Sequence, residues 1–235
     1  MAAADATNRA MLSVDLAQES VRELNQRLHD LGEPSQVRIV NPDGRHSIAV
    51  GLDGAHEVQI DGHVGYYCAA MNKHATVHVR GNCGVGVAEN MMSGTVTIEG
   101  SASQSAAATA RGGLLVIHGD AAARCAISLK GADVVVRGSI GHMSAFMAQR
   151  GSLVVLGDAG EALGDSIYEA RLYVRGSVAS LGADCVEKEL REEHSEQLRE
   201  LLQRAQISDV QPSEFRRYGS ARALYNFHVD NLGSY

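Results

Sequence analysis

A glycine returns every 19 residues through the middle of this chain, at Gly62, Gly81, Gly100, Gly119, Gly138, Gly157 and Gly176. Each closes a short β-rich run: VQIDG, VHVRG, VTIEG, LVIHG, VVVRG, LVVLG and LYVRG. Four residues before the glycines stand Val58, Val77, Val96, Leu115, Val134, Leu153 and Leu172, and two before them Ile60, Val79, Ile98, Ile117, Val136, Val155 and Val174. Two aliphatic columns at period two are the signature of strands that bury one face. A third column, seven residues after each glycine, reads Ala69, Ala88, Ala107, Ala126, Ala145, Gly164 and Ala183. Coils of a solenoid stack about 4.8 Å apart, so a corner cramped in one coil is cramped in all of them. The spacing therefore predicts an all-β solenoid of about seven 19-residue coils, with a core roughly 34 Å long. A left-handed hexapeptide prism advances about 18 residues per coil, so the unbroken 19 points to a single-stranded right-handed β-helix.

This repeat decides how the glycine-rich GNCGVGVAENMMSG, residues 81–94, is read. Its glycines run GxxGxG, no Walker lysine follows, and the next element is a strand, whereas a phosphate loop needs the N-terminus of a helix. It is one coil, in which Gly81 ends a strand, Gly84 and Gly86 permit the turn and Gly94 precedes the next strand. The Met residues in NMM (Asn90 to Met92) and GHMSAFM (Gly141 to Met147) are expected to fill gaps in the core.

The composition fits a repeated architecture: 45% of residues are hydrophobic but only 4% aromatic, with no Trp, 3 Pro and 25 Gly. A net charge of -7 supplies no basic field for nucleic acid or anionic lipid. Cys68, Cys83, Cys125 and Cys185 lie 15, 42 and 60 residues apart, which gives no ligand spacing for zinc or an iron-sulfur cluster and suggests free thiols in a reducing cytosol. The first residues show no signal peptide and no stretch of about 20 apolar residues, so a cytoplasmic protein without a membrane partner is expected.

Outward columns are where chemistry would be sought. The position just before each glycine reads Asp61, Arg80, Glu99, His118, Arg137, Leu156 and Arg175. Asp61 and Glu99 could flank a bond as paired acids, but Arg80 stands between them, and an alternating ladder suits a solvated strand face. His78, His118 and His142 fall in different columns and make no ligand set. No catalytic, cofactor-binding or metal residue is assigned, and the isolated chain is expected to bind neither nucleotide nor metal. The position three before each glycine begins polar, with Gln59, His78 and Thr97, and then turns apolar with Val116, Val135, Val154 and Tyr173. Four stacked apolar side chains make a ridge about 14 Å long that something must cover. Either the following helix folds back over it or a partner chain docks there, which makes these four residues a possible interface.

The flanks differ from the repeats. In QESVRELNQRLHDLG, Val21, Leu24, Leu28 and Leu31 have helical spacing, and SQVRIVNPDGRHSIAV follows as two short strands around the turn at Asn41 to Gly44. Residues 1–54 are thus expected to cap the first coil. The β-helix is placed at 55–188 and a C-terminal helix and tail at 189–235. Val186, Leu190, Leu198, Leu201, Leu202 and Ala205 are expected on one stripe of a long helix, and a polar tail begins at Ser208.

The strand-glycine repeat, with corners such as GNCGVGVAENMMSG and GHVGYYCAAMNKHATVHVRG, resembles the GXGXG domain that ends the large subunit of glutamate synthase. With the N-terminal cap, the charged helix and the terminal FRRYGSARALYNFHVDNLGSY, the arrangement is similar to stand-alone chains of that family, the GXGXG chain of N-methylglutamate synthase in particular. The resemblance implies a right-handed β-helix within a hetero-oligomer. A glutamine-amidotransferase-like subunit and a barrel subunit carrying FMN and an iron-sulfur cluster would complete the complex. It implies no cofactor in this chain, and Ala2 stands where an amidotransferase of this type would expose a Cys nucleophile. The expected role is a non-catalytic scaffold of a transferase that forms N-methylglutamate and ammonia from methylamine and glutamate. Two alternatives are the β-helix chain of a formylmethanofuran dehydrogenase or formyltransferase complex, and an independent carbohydrate-active β-helix enzyme.

Overall fold

The computed structural model describes residues 11–223; the Ala2 position and the last part of the terminal stretch, residues 224–235, lie outside the described residues. Nine strands, β1 (Leu12–Asp15), β2 (Gln36–Val40), β3 (Glu57–Asp61), β4 (Thr76–Val79), β5 (Thr95–Ile98), β6 (Leu114–Ile117), β7 (Lys130–Val136), β8 (Arg150–Val155) and β9 (Arg171–Val174), pair in parallel, each with the next in the chain. From β3 to β9 the register keeps the aliphatic columns superposed, with Val58 beside Val77 and Ile60 beside Val79, and so on to Leu153 beside Leu172. Every residue of both columns is buried. A second short face lies two residues after each glycine, where single bridges link Val64, Cys83, Ala102, Ala121, Ile140, Ala159 and Val178 in sequence. The result is a single-stranded β-helix whose core runs as one unbroken apolar cluster.

From Gly81 to Gly176 the repeat glycines are required for closeness rather than for a turn. A Cβ added to Gly81 would stand 2.5 Å from the carbonyl oxygen of Gly62, and at Gly176 2.4 Å from that of Gly157. Turning is done at the next corner, where positive φ alternates with negative φ. Tyr67, Ala69 and Met71 have φ of 60°, 52° and 57°, and Arg124, Ala126 and Ser128 repeat the pattern at 60°, 59° and 51°. The amides at such a corner point alternately to the two neighbouring coils: Tyr67 N donates to Val85 O and Met71 N to Glu89 O, while Ala69 N donates back to Ile48 O. Left-handed backbone is accepted here by Tyr, Met and Arg, so conformation does not select the middle alanine. What selects it is complete burial, since Ala69, Ala88, Ala107, Ala126 and Ala145 are all 0% exposed between stacked coils. Ala183 departs from the expected column: it is not buried, and positive φ falls on Asp184 instead, because no further parallel coil stacks on the last one. In the glycine-rich coil, Gly86 and Gly94 do adopt φ of 73° and 83°. Gly84 does not, and is needed because a Cβ there would meet the Gly65 backbone at 2.6 Å.

The N-terminal region differs from expectation. SQVRIV is β2 and belongs to the solenoid, pairing in register with β3 across 21 residues. The second expected strand, RHSIAV, is the corner of that first coil, with Ser47 and Ala49 at φ of 58° and 57°. One long connection disguises the coil as a cap. The true cap is the helix α1 (Val21–His29), opened by a capping box in which Ser20 Oγ accepts from Glu23 N and the Glu23 carboxylate accepts from Ser20 N. Its Leu24 and Leu28 enter the core. Asn25 Nδ2 donates to Ser47 O and its Oδ1 accepts from Ala49 N, while His29 Nε2 lies 2.9 Å from Val50 O. These side chains stand in for the coil that would otherwise satisfy that backbone.

At the other end, Val186 does not lie on the helix. It is in β10 (Cys185–Lys188), and the helix α2 spans Glu192–Arg204. Nor is the segment after Ser208 a polar tail. Val210 and Phe215 are buried, a 3-10 turn covers Pro212–Glu214, and β11 (Arg216–Ser220) pairs antiparallel with both β9 and β10. Reversal of strand direction ends the stack. Sequence patterning misses this because a strand such as RRYGS, with two arginines, carries no alternating apolar signal.

Candidate functional site

The outer strand face divides in two. Over β3, β4 and β5 it is polar and open, and its side chains form a ladder of charge. Asp61 lies 2.6 Å from Arg38 and 3.6 Å from Arg80, and Glu99 lies 3.0 Å from His78 and 3.8 Å from Arg80. The Asp61 carboxyl sits below its ordinary value: partial burial pushes it up, and hydrogen bonds from Arg38 and Gln59 with the charges of Arg38 and Arg80 outweigh that. Arg80 stands between the two acids and reaches both, so Asp61 is held as a carboxylate. His118 is lowered by burial and by Arg137, which keeps its imidazole neutral at pH 7. His142 lies a coil or more away in sequence from these partners.

Over β6 to β9 the face is apolar and covered. Val116, Val135, Val154 and Tyr173 form one cluster with Leu198, Leu201, Leu202 and Ala205 of α2 and with Ile207, Val210 and Phe215 beyond it. The ridge put forward as a possible interface is therefore sealed by the chain's own helix, and a docking role for those four side chains is corrected. Leu156, the single apolar member of the charged column, belongs to the same cluster. Polar contacts ring the seam: Tyr173 OH donates to Gln197 Oε1 at 3.0 Å, Arg204 pairs with Asp133 at 3.1 Å, Arg137 with Asp209 at 2.5 Å and Arg175 with Glu214 at 2.9 Å.

A further column, one residue after each glycine, escapes the sequence reading. It contains His63, Asn82, Ser101, Asp120, Ser139, Asp158 and Ser177, each of which can accept a hydrogen bond through a short side chain. In the structure each side chain from His63 to Asp158 accepts the backbone N–H of its counterpart one coil later, at 2.7 to 3.1 Å. The signal is present, since every member is polar, but a polar outward column looks like ordinary surface until the stacking is seen.

The methionine-rich corners are only partly core. Met91 is fully buried, whereas Met92 is 42% and Met147 36% exposed. Together with Tyr66, Tyr67 and Met71 they put apolar groups on the corner side of the molecule, and Tyr66 stacks on His46. The four cysteines are free and buried. Burial pushes the thiols of Cys68, Cys125 and Cys185 up to about 12 and that of Cys83 higher still, so none supplies a thiolate near neutral pH. Among the described residues no group of three His, Cys, Asp or Glu side chains could hold a metal ion, and no helix is long and apolar enough to cross a membrane.

The GXGXG motif family matches residues 44–223. Protein GlxC of Rhizobium meliloti (strain 1021) is 61% identical over 225 residues, which covers 94% of this chain and 99% of that protein. A match over most of the chain, on a fold whose stacked glycines allow its coils to approach so closely, shows that the chain belongs to the glutamate-synthase-like GXGXG family.

Proposed function

We propose that this chain is the non-catalytic β-helix subunit of a glutamate-synthase-like complex that forms N-methylglutamate and ammonia from methylamine and glutamate. The observation that carries the reading is the match to the GXGXG motif family together with a near full-length likeness to a relative that is covered to 99%. The disposition of the side chains supports a scaffold role: the paired acids are neutralised by Arg80, the thiols are protonated and the ridge is internally covered. The chain's residues do not fit an iron-sulfur cluster, which needs thiolates converging on one point. FMN and a cluster are accordingly assigned to a barrel subunit, and release or handling of the glutamate nitrogen to an amidotransferase-like subunit. No chemical step is assigned to this chain. Its part is to hold the other two at a fixed distance on a rigid stack.

The test is affinity purification of the tagged chain from its native host, with partners identified by mass spectrometry and the complex assayed for N-methylglutamate formed from methylamine and glutamate. An amidotransferase-like and a flavin barrel chain in fixed ratio, with activity absent from the isolated chain, is the expected result. A chain that runs alone and cleaves a polysaccharide, or one held by a tungsten enzyme or amidohydrolase-like partner, would overturn the proposal.

A further inference from the structure

The chain carries a net charge of -7, yet one cleft in it is basic. The cleft, of about 430 Å³, opens where the last coil, β10, β11 and the start of α2 meet. Among the described residues, Arg171, Lys188, Arg191, Arg217 and Arg222 line it against two carboxylates, Glu169 and Glu193. Five cations at one junction of an acidic protein repel one another, and partial burial raises that cost. Arg217 reports it: its pKa is lowered by burial first, with Arg171 and Arg191 adding to the effect.

The cations are not all accounted for by the fold. Arg191 pairs with Glu189 at 3.2 Å, and Arg222 lies 3.9 Å from Glu169. Arg217 Nε donates to the backbone carbonyl of Glu189, and Arg171 donates to the neutral amide oxygen of Gln197. Among the described residues no carboxylate stands within ion-pair distance of Arg171, Lys188 or Arg217, and the Glu193 carboxylate acts on Arg217 only from farther off. The first turn of α2 forms part of the wall, where its N-terminal dipole adds to the same field and Glu192 and Glu193 offset part of it. Arg191, at the N-cap, has no acceptor with which to satisfy that end of the helix.

We propose that this cleft binds a small, multiply charged oxyanion, either a phosphoryl group or a dicarboxylate, held by the Arg171 and Arg217 guanidinium groups with Lys188 at the rim. Arginine matches both oxyanions through paired N–H donors, and a half-enclosed site strengthens each such bond. The site is independent of the reaction proposed for the complex. It lies at the junction of the solenoid with its C-terminal cover, where occupancy would tie β9, β10, β11 and α2 together.

The experiment is titration calorimetry of the full chain at low ionic strength with inorganic phosphate and, separately, with succinate. Saturable binding of at least one probe with a dissociation constant at or below about 1 mM is expected, and the tighter probe distinguishes a phosphoryl from a dicarboxylate ligand. Lys188→Gln and Arg217→Gln should each weaken that binding by about tenfold, the loss of one charge-assisted hydrogen bond, while Arg80→Gln on the remote strand face leaves it unchanged. Lys188→Gln removes no hydrogen bond within the fold and so remains informative should Arg217→Gln fail to fold. Absence of saturable binding by both probes would overturn the proposal, as would unaltered affinity in folded Lys188→Gln protein.

Discussion

The two halves of the outer strand face share one backbone and one inner frame, yet differ in everything that faces outward. Over β3 to β5 the outward column is Gln59, His78 and Thr97, beside a ladder of ion pairs in water. Over β6 to β9 the same column is Val116, Val135, Val154 and Tyr173, buried to 3% exposure or less under α2. The inner columns are interchangeable between the halves, so they specify the solenoid; the outer column specifies what the solenoid carries. The polar half stays open to water, and the apolar half attracts a cover from within this chain.

Placing a charge under that cover is the strongest way to break the comparison. Val135→Asp or Val154→Asp should cost about 3 kcal/mol or more, the penalty of an unpaired buried carboxylate together with lost apolar burial, whereas Thr97→Asp on the open half should stay within about 0.5 kcal/mol. Chemical denaturation of the three variants measures it, and equal losses would erase the distinction between the faces.

The shared inner frame should be less forgiving of volume than of conformation. Ala126→Phe, at a corner with no exposure, is expected to destabilise by about 1–3 kcal/mol because both neighbouring coils must move. Ala126→Gly should change stability by less than about 1 kcal/mol, since φ of 59° suits glycine and little volume is lost. Thermal unfolding of the pair checks it: if phenylalanine were tolerated, burial could not be what selects alanine.

A smaller effect separates the polar ladder after the glycines from ordinary surface. Ser139→Ala removes the acceptor for Asp158 N at 3.0 Å and should cost about 0.5–1 kcal/mol. The ladder also predicts a pH dependence. The Asp158 carboxyl is held below its ordinary value of 3.8, first by the backbone N–H of Ser177 and then by its hydroxyl. A folded pKa below the unfolded one contributes stability that is fully present above the unfolded value and is lost as pH falls through the folded value. Asp158→Asn should therefore flatten the fall in melting temperature below about pH 4. An unchanged acid limb would show that the ladder does not hold this carboxylate in its charged form.

The ion pairs of the open half should matter least. Arg80→Ala is expected to cost under about 1 kcal/mol, and the loss should shrink further in high salt, because Arg80 and Glu99 are both about half exposed. A large, salt-independent loss would mean that the open face is structured by its charges as firmly as the other is by its helix.

Much of this molecule is legible because solenoid stacking turns a tertiary rule into a sequence period. The glycine column, both aliphatic columns and the alanine column can be read residue by residue, since every coil repeats the same environment. Legibility fails where the environment stops repeating. The first coil, from β2 to β3, reads as a cap because its connection is longer than the others. Val186 and Leu190 continue a helical stripe although the helix begins only at Glu192, and β11 hides in what looks like a polar tail. The basic cleft has no sequence signal at all, since Arg171, Lys188, Arg191 and Arg217 come from separate segments with no common spacing.

The sequence by itself determined the coil, because identical neighbours at a fixed period impose identical demands on volume, polarity and backbone approach. Which of the two possible covers would close the apolar face, what would end the stack and where unbalanced charge would gather were decided only by the tertiary structure. Those outcomes depend on contacts between unlike segments, where α2 meets β6 to β9 and β11 turns against β9, and no period in the chain encodes a contact that occurs once.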